Sequence, residues 1–467
     1  MRIEEDFLGR VGVPEKAYYG SFTARAAENF RLSREKVHPE LTRSVALIKK
    51  CAALANMELG MLDKDKGGAI AAAAQEVMDG KLDSEFILDA FQAGAGTPLH
   101  MNVNEVIANR AEELLGGRKG QYRLVHPNNH VNMSQSSNNV VPTAIKIACL
   151  RLCAGTVKEA AALAKALRAR GREYGGTLKI GRTHLQDAVP MTYGQTFDAY
   201  ARAIEKDSDA LRHSMEGLKE AGVGGTAVGS GITAHPEFRE RIIKLLNAEG
   251  APVRLPEDGF EMTQDMNDLL SLSGSLRRYA LTLGRIADDL RLLASGPKGG
   301  IAEVRLPEVE PGSSIMPGKV NPSVPEAVDM ACFQARGNDH AVELAAASGQ
   351  LELNFATPLI ARCLFQSAEL LSASSAMFRK CIEGLKVDEE RTRENFERSF
   401  GYATALNPYL GYKEVSLLVK EAYRKGVSLK ELILEKRLME KEDLEKVMAT
   451  AIGPSAVEKG ILRKMKR

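Results

Sequence analysis

Cysteine is scarce in this 467-residue chain: Cys51, Cys149, Cys153, Cys332, Cys363 and Cys381 are scattered, and no CxxC pair occurs. That density excludes a disulfide framework and predicts buried free thiols in a reducing compartment. Net charge is nearly absent as well, since 63 basic and 61 acidic residues leave +2. No global field therefore draws the protein to nucleic acid or to an anionic membrane. The opening Met1-Arg2-Ile3-Glu4-Glu5-Asp6 is acidic and has no apolar core of the signal-peptide kind. No apolar run is expected to reach membrane-spanning length. A soluble cytoplasmic protein is the expectation, large enough for more than one domain.

Several chemistries are missing too. Gly224-Gly225-Thr226-Ala227-Val228-Gly229-Ser230-Gly231 has a serine where a phosphate-binding loop needs lysine. His126 and His130 are four apart, but Pro127 and the asparagines between them argue against a helical metal pair. No cysteine or carboxylate cluster completes a zinc site, so no metal is expected. No Gly-x-Ser-x-Gly elbow supports a hydrolase triad. Neither an internal repeat nor a low-complexity linker is found.

What remains is helix. Apolar residues at Phe197, Ala201, Ile204, Leu211, Met215 and Leu218 follow three-and-four spacing. Leu269, Leu272, Leu276, Leu283, Ile286, Leu290 and Leu293 make a second stripe. Helices are also predicted over Cys153–Glu173, Pro325–Ala347 and Pro358–Leu385, and helices this long pack best side by side. The middle region has no alternating pattern of a sizeable sheet. Three segments are expected: a mixed helical region 1–136, a helix bundle 137–390 and a small helical tail 391–467.

Four polar islands interrupt the helical text: Gly94–Glu105, His126–Asn139, Lys179–Asp187 and Gly312–Asn321. Hydroxyls and amides at such places are ordinarily helix caps or loop residues. The same capped starts also offer N–H groups to anions, so four converging islands could hold a small dianion. The fourth island reads Gly312-Ser313-Ser314-Ile315-Met316-Pro317-Gly318-Lys319-Val320-Asn321. Its glycines permit tight turning, and its hydroxyls, cation and amide could grip a carboxylate.

This order resembles the Gly-Ser-Ser-x-Met-Pro-x-Lys-x-Asn signature of the fumarase/aspartase superfamily, matching every defined position. Gln92–Asn109 and His126–Thr143 resemble two further blocks of that family, and the resemblance spans effectively the whole chain. It implies a mainly α, three-domain fold whose long-helix bundle forms a twenty-helix core in a homotetramer, with composite active sites. It implies, without cofactor, anti elimination from a small C4 dicarboxylate to give fumarate. Carried onto this chain, Ser313 is the base. Thr97, Ser136, Ser137 and Ser314 serve the carboxylate that gains charge, and Lys319 and Asn321 hold the other. Asn138, Thr183 and His184 surround the leaving group, and Glu326 is the carboxylate partner of His184.

Lys319-Val320-Asn321 points to the fumarase and aspartase branches within the family. Ala17-Tyr18-Tyr19-Gly20, Gly349–Asn354 and Leu406-Asn407-Pro408 resemble aspartases, which release ammonia from L-aspartate. Lys179–His184 and Asn102–Arg110 read like fumarases, which release water from L-malate. The aspartase branch is preferred; a related C4 amino acid or a silent helical scaffold are the further alternatives. The departures are Pro98-Leu99-His100 after Thr97, Asn129, Met133 for a usual lysine and Asn139 for a usual aspartate. The last two could be one exchanged ion pair. His100 adds an ionisable group near the carboxylate pocket.

Overall fold

The computed structural model describes residues 1–453 and 457–465. Residues 454–456 and 466–467 of the expected tail lie outside the described residues. The chain forms two compact units, Met1–Lys158 with Asp207–Ala280 and Ala331–Ala373, and Glu159–Lys206 with Leu281–Met330 and Ser374–Arg467.

In the first unit a hairpin of β1 (Arg2–Asp6) and β2 (Gly9–Val13) precedes α1 (Ser21–Asn29). Helix α2 (Pro39–Glu58) packs on α3 (Lys64–Met78), and α3 packs on α4 (Thr97–Leu114). Local sequence starts α2 cleanly: Pro39 needs no N–H there, and His38 accepts from the Glu40 N–H. Helix α1 begins at Gly20, which has no side chain to cap it. The buried carboxylate of Glu105 in α4 does so instead, accepting from the N–H groups of Gly20, Phe22 and Thr23 and from the Thr23 hydroxyl. Burial raises the pKa of that carboxyl, against the pull of these four donors.

Five long helices carry the middle of the chain: α5 (Ser137–Glu173), α6 (Tyr193–Gly217), α9 (Asn267–Leu293), α10 (Ser323–Ala346) and α11 (Thr357–Gly384). Between α6 and α9 lie the shorter α7 (Phe238–Ala248) and α8 (Gly259–Gln264). The mainly α reading therefore holds, and every leucine and isoleucine of the expected Leu269–Leu293 stripe is buried in α9. Helix α5 starts sixteen residues before the predicted Cys153, at Ser137. Pro142 is its sixth residue and costs the helix the one N–H bond that position would make to the Asn138 carbonyl. One expectation needs correction. Helix α5 is long and apolar enough to cross a membrane by length and composition, with a mean hydropathy of 1.5 over its most apolar window. That window is 72% buried within the protein, as a core helix is.

In the second unit β3 (Leu178–Thr183) and β4 (Gln186–Thr192) form an antiparallel hairpin with an irregularity between Ile180 and Arg182. Gly181 is required there, because a Cβ would lie 2.9 Å from the Val189 carbonyl oxygen. A two-stranded ladder also joins β5 (Val304–Arg305) to β6 (Lys386–Val387). Helix α12 (Glu389–Arg398) packs on β3. Beyond it, α13 (Ala403–Leu410), α14 (Tyr412–Lys425), α15 (Leu429–Glu435), α16 (Lys441–Thr450) and α17 (Lys459–Met465) follow. They enclose an apolar core that includes Phe396, Tyr402, Leu418, Leu432 and Ile461, and Ile180 of β3 joins it.

The base of the β3–β4 hairpin is fixed by one carboxylate. Glu303 is 0% exposed and receives Arg182 at 2.6 Å, the Tyr193 hydroxyl at 2.8 Å and the Asn395 amide at 3.0 Å. Burial, and then this carboxylate, push the Tyr193 phenol well above its ordinary value. All six cysteines are buried and outside any disulfide, as expected, and burial pushes the Cys153 thiol up to about 12.

Candidate active site

The island around Thr97 folds into a tight turn before α4. Ala95 and Gly96 both have left-handed φ, 54° and 70°, and a Cβ on Gly96 would meet Val141 at 2.8 Å. Thr97 is then the first residue of α4 and is half-buried. Pro98 occupies the next position, where a missing N–H costs nothing, and Leu99 enters the core. Two of the three unusual residues after Thr97 are thus helix-start and packing choices. The third, His100, is 1% exposed and lies against Ser137, with 2.7 Å between Nδ1 and Oγ.

Ser136, Ser137 and Asn138 lie at the start of α5. The Ser136 hydroxyl oxygen accepts the Asn138 N–H at 3.2 Å, which is the capping role. Asn138 donates through Nδ2 to the Ala227 carbonyl at 2.8 Å. Asn139 donates to the Thr263 hydroxyl at 3.0 Å, and the Met133 carbonyl accepts from Asn56 and Gln135. His126 Nδ1 accepts the N–H groups of Asn128 and Asn129, while His130 Nδ1 accepts the N–H of His126. These two rings hold a turn, and among the described residues no group of three His, Cys, Asp or Glu side chains is placed to hold a metal. A cleft of about 190 Å³ lies in the same unit, lined by Glu35, His38, Gln92, Gly96 and Arg362 among others. Gln92, Gly96 and Leu99 of the first island and its block line it, but none of the expected catalytic or substrate-binding residues does.

Sequence reading missed Lys49. It is 0% exposed in α2 and contacts His100 Nε2 at 2.5 Å, Gln135 Oε1 at 2.9 Å and Asn132 Oδ1 at 3.0 Å. A signal was available, because Leu41, Val45, Ala52 and Asn56 continue the buried stripe on which Lys49 sits. A lysine in an apolar stripe needs partners.

In the second unit the Thr183–His184 island is the tip of the β3–β4 hairpin. His184 and Leu185 form its two-residue turn, with φ of 56° and 61°. Both left-handed values match the primed turns that suit the twist of paired strands. Thr183 and His184 are exposed. Glu326 is half-buried in the first turn of α10. Among the described residues no ion pair joins His184 to Glu326 within the chain, so the expected pairing is not formed inside one subunit.

The Gly312–Asn321 segment closes on itself. The Gly312 N–H donates to the Lys319 carbonyl at 3.1 Å, and Asn321 Nδ2 donates to the Gly312 carbonyl at 2.7 Å. A Cβ on Gly312 would lie 2.3 Å from the Lys319 oxygen, so only glycine allows this closure. Inside the loop the Ser313 oxygen accepts two backbone N–H groups, from Ile315 at 3.2 Å and Met316 at 2.9 Å. Two N–H donors on one hydroxyl oxygen stabilise it as an alkoxide. Ser314 and Lys319 are exposed, and among the described residues Lys319 has no carboxylate partner. Asn321 uses one of its two amide hydrogens within the loop.

A family model described as "Lyase" matches residues 9–337, and one described as "Fumarase C C-terminus" matches 403–451. Aspartate ammonia-lyases of Bacillus sp and Pseudomonas aeruginosa are 43% and 46% identical to this chain. Each alignment covers 96% of it, with 96% and 95% of the relative. A class II fumarate hydratase of Chromobacterium violaceum is 44% identical over 93% of this chain and 95% of its own. The crystal structure of a fumarate lyase:delta crystallin from Brucella melitensis bound to cobalt superposes with a TM-score of 0.93. It has 42% identity and covers 99% of both chains. With its helical fold, its loop and its full-length relatives in agreement, the chain belongs to the fumarase/aspartase lyase superfamily.

Proposed function

We propose that this protein is an aspartate ammonia-lyase, which removes ammonia from L-aspartate reversibly to give fumarate. The observation that carries the reading is the Ser313 oxygen under the Ile315 and Met316 N–H groups, in the same loop as the exposed cation of Lys319. A serine is a poor base unless its anion is stabilised, and these donors supply that stabilisation. Ser313 then takes the Cβ proton, and the electron pair moves into the adjacent carboxylate to give a dianionic aci-carboxylate. Thr97, Ser136, Ser137 and Ser314 donate to that group, where stabilisation lowers the barrier most. Lys319 and Asn321 grip the second carboxylate. Collapse of the aci form expels the amine from Cα on the opposite face, with Asn138, Thr183 and His184 around it and Glu326 of a neighbouring subunit paired with His184. The reaction calls on no cofactor.

The names of the relatives favour aspartate, and water loss from L-malate is the second reading because a fumarate hydratase aligns nearly as closely. Ultraviolet absorbance of newly formed fumarate, followed with each substrate in turn, separates them. Turnover of aspartate is expected; turnover of malate alone overturns the assignment.

A homotetramer with composite sites, organised as segments 1–136, 137–390 and 391–467 and working in the cytoplasm, completes the reading. Its support is the exposed apolar face of α10, where Met330 is 64%, Phe333 58% and Leu344 61% exposed. A face this apolar on a long helix needs a cover. Phe333→Asp is expected to convert the tetramer into smaller species in analytical ultracentrifugation, with activity falling in parallel. An unchanged tetramer would place the interface elsewhere.

A further inference from the structure

His100 stands where the family resemblance calls for small polar residues, and it joins a buried lysine to a hydroxyl of the proposed site. The directions in this chain of contacts can be worked out from donor counts. Gln135 Nε2 donates to the Val131 and Met133 carbonyls, both at 3.1 Å, so its oxygen faces Lys49. Asn132 Nδ2 donates to the Gln135 carbonyl at 3.3 Å, so its oxygen faces Lys49 as well. An ammonium has three N–H donors and no acceptor. Two go to these oxygens, and the third is directed at His100 Nε2, which must therefore be a lone pair. An imidazole that accepts at Nε2 carries its hydrogen on Nδ1 and donates it to Ser137 Oγ. Ser137 cannot return its own hydrogen to that ring, so its O–H is left to point outward.

We propose that Lys49 and His100 are positioning residues that hold the Ser137 hydroxyl as a hydrogen-bond donor to the substrate carboxylate. The proposal rests on the lyase reading given above. A neutral ring agrees with this direction. Burial, and after it the charge of Lys49, depress His100 far below its ordinary range, which keeps the ring neutral. Burial depresses Lys49 too and works against its ammonium, whereas the two amide oxygens and the ring nitrogen around Nζ favour it. Asn132, Gln135 and Ser137 are uncharged, and no carboxylate contacts the pair among the described residues. Were Lys49 uncharged, its lone pair would face an Nε2–H and the chain would run in reverse. Ser137 would then donate to the ring and have nothing to offer a carboxylate.

The test uses the full-length protein with L-aspartate as substrate and succinate, an unreactive C4 dicarboxylate, as competitive inhibitor. His100→Leu is expected to weaken succinate about 10-fold and to lower kcat/KM by about 100-fold or more. The larger kinetic loss follows because the transition state carries the extra charge on that carboxylate. His100→Asn presents an amide N–H near the position of Nδ1 and is expected to recover most of both losses. A residue with only a structural role would lower the active fraction and leave the succinate constant unmoved. Unchanged or tighter succinate binding in His100→Leu, or equal impairment in His100→Asn, overturns the proposal. If His100→Leu does not fold, Lys49→Met takes its place: tenfold weaker succinate supports the chain, and wild-type affinity overturns it. A wild-type protein that neither turns over aspartate nor binds succinate removes the lyase reading and this proposal together.

Discussion

Ser313→Ala is expected to lower kcat for L-aspartate by about three decades or more, with the fold and the oligomer intact. The variant loses the one oxygen that sits under both the Ile315 and Met316 N–H groups, at 3.2 and 2.9 Å. A methyl group cannot take a proton, and the neighbouring Ser314 lacks those two donors. The loop itself should survive, because its closure depends on Gly312, Lys319 and Asn321 and not on the Ser313 hydroxyl. Succinate affinity should therefore change little while the fumarate absorbance rate collapses. That split separates loss of the base from loss of the site. Near-normal turnover in a folded Ser313→Ala protein would remove Ser313 from its role.

Glu303→Leu is expected to be the most damaging single change to stability, costing about 3–5 kcal/mol, as when one partner of a buried ion pair is removed. Leucine fits the volume but leaves the Arg182 guanidinium without the carboxylate 2.6 Å away. It also strands the Tyr193 hydroxyl and the Asn395 amide, both of which point at the same oxygens. Denaturant unfolding should show the loss, and hydrogen exchange should rise along the β3–β4 hairpin first. Glu303→Gln keeps the shape and some of the bonds, so its loss should be smaller. Equal stability of wild type and Glu303→Leu would mean that the hairpin base is held by packing alone.

The fold was legible where the chain obeys one period for long stretches. Leu269 to Leu293 and Phe197 to Leu218 marked two of the long helices through spacing alone. Hairpins were not legible. Arg2–Val13 and Leu178–Thr192 are short, and their turns, Phe7-Leu8 and His184-Leu185, contain no Asn-Gly or Gly-Gly signal. Helix α5 extends sixteen residues upstream of the Ala- and Leu-rich stretch that marked it, because Ser137–Leu152 carries polar and β-branched residues and Pro142. Among site residues, the serine loop was recognisable because its residue types are contiguous. Lys49 was not, because its partners His100, Asn132 and Gln135 are between 51 and 86 positions away and meet it only after folding. The two N–H groups on Ser313 were equally hidden, since backbone donors have no letter in a sequence.

The turn at His184-Leu185 has a consequence for how this protein can change. Thr183 pairs with Gln186, so two residues are all that separate the strands. An added or deleted residue would shift the parity of one strand and send its side chains to the opposite face. The imidazole would be displaced by the same slip. Specificity at this tip is therefore open to exchange of side chains and closed to changes of length. A library aimed at new amino acid substrates should vary Thr183, His184 and Leu185 at fixed spacing, and variants selected for new substrates should keep the interval from Ile180 to Pro190 constant.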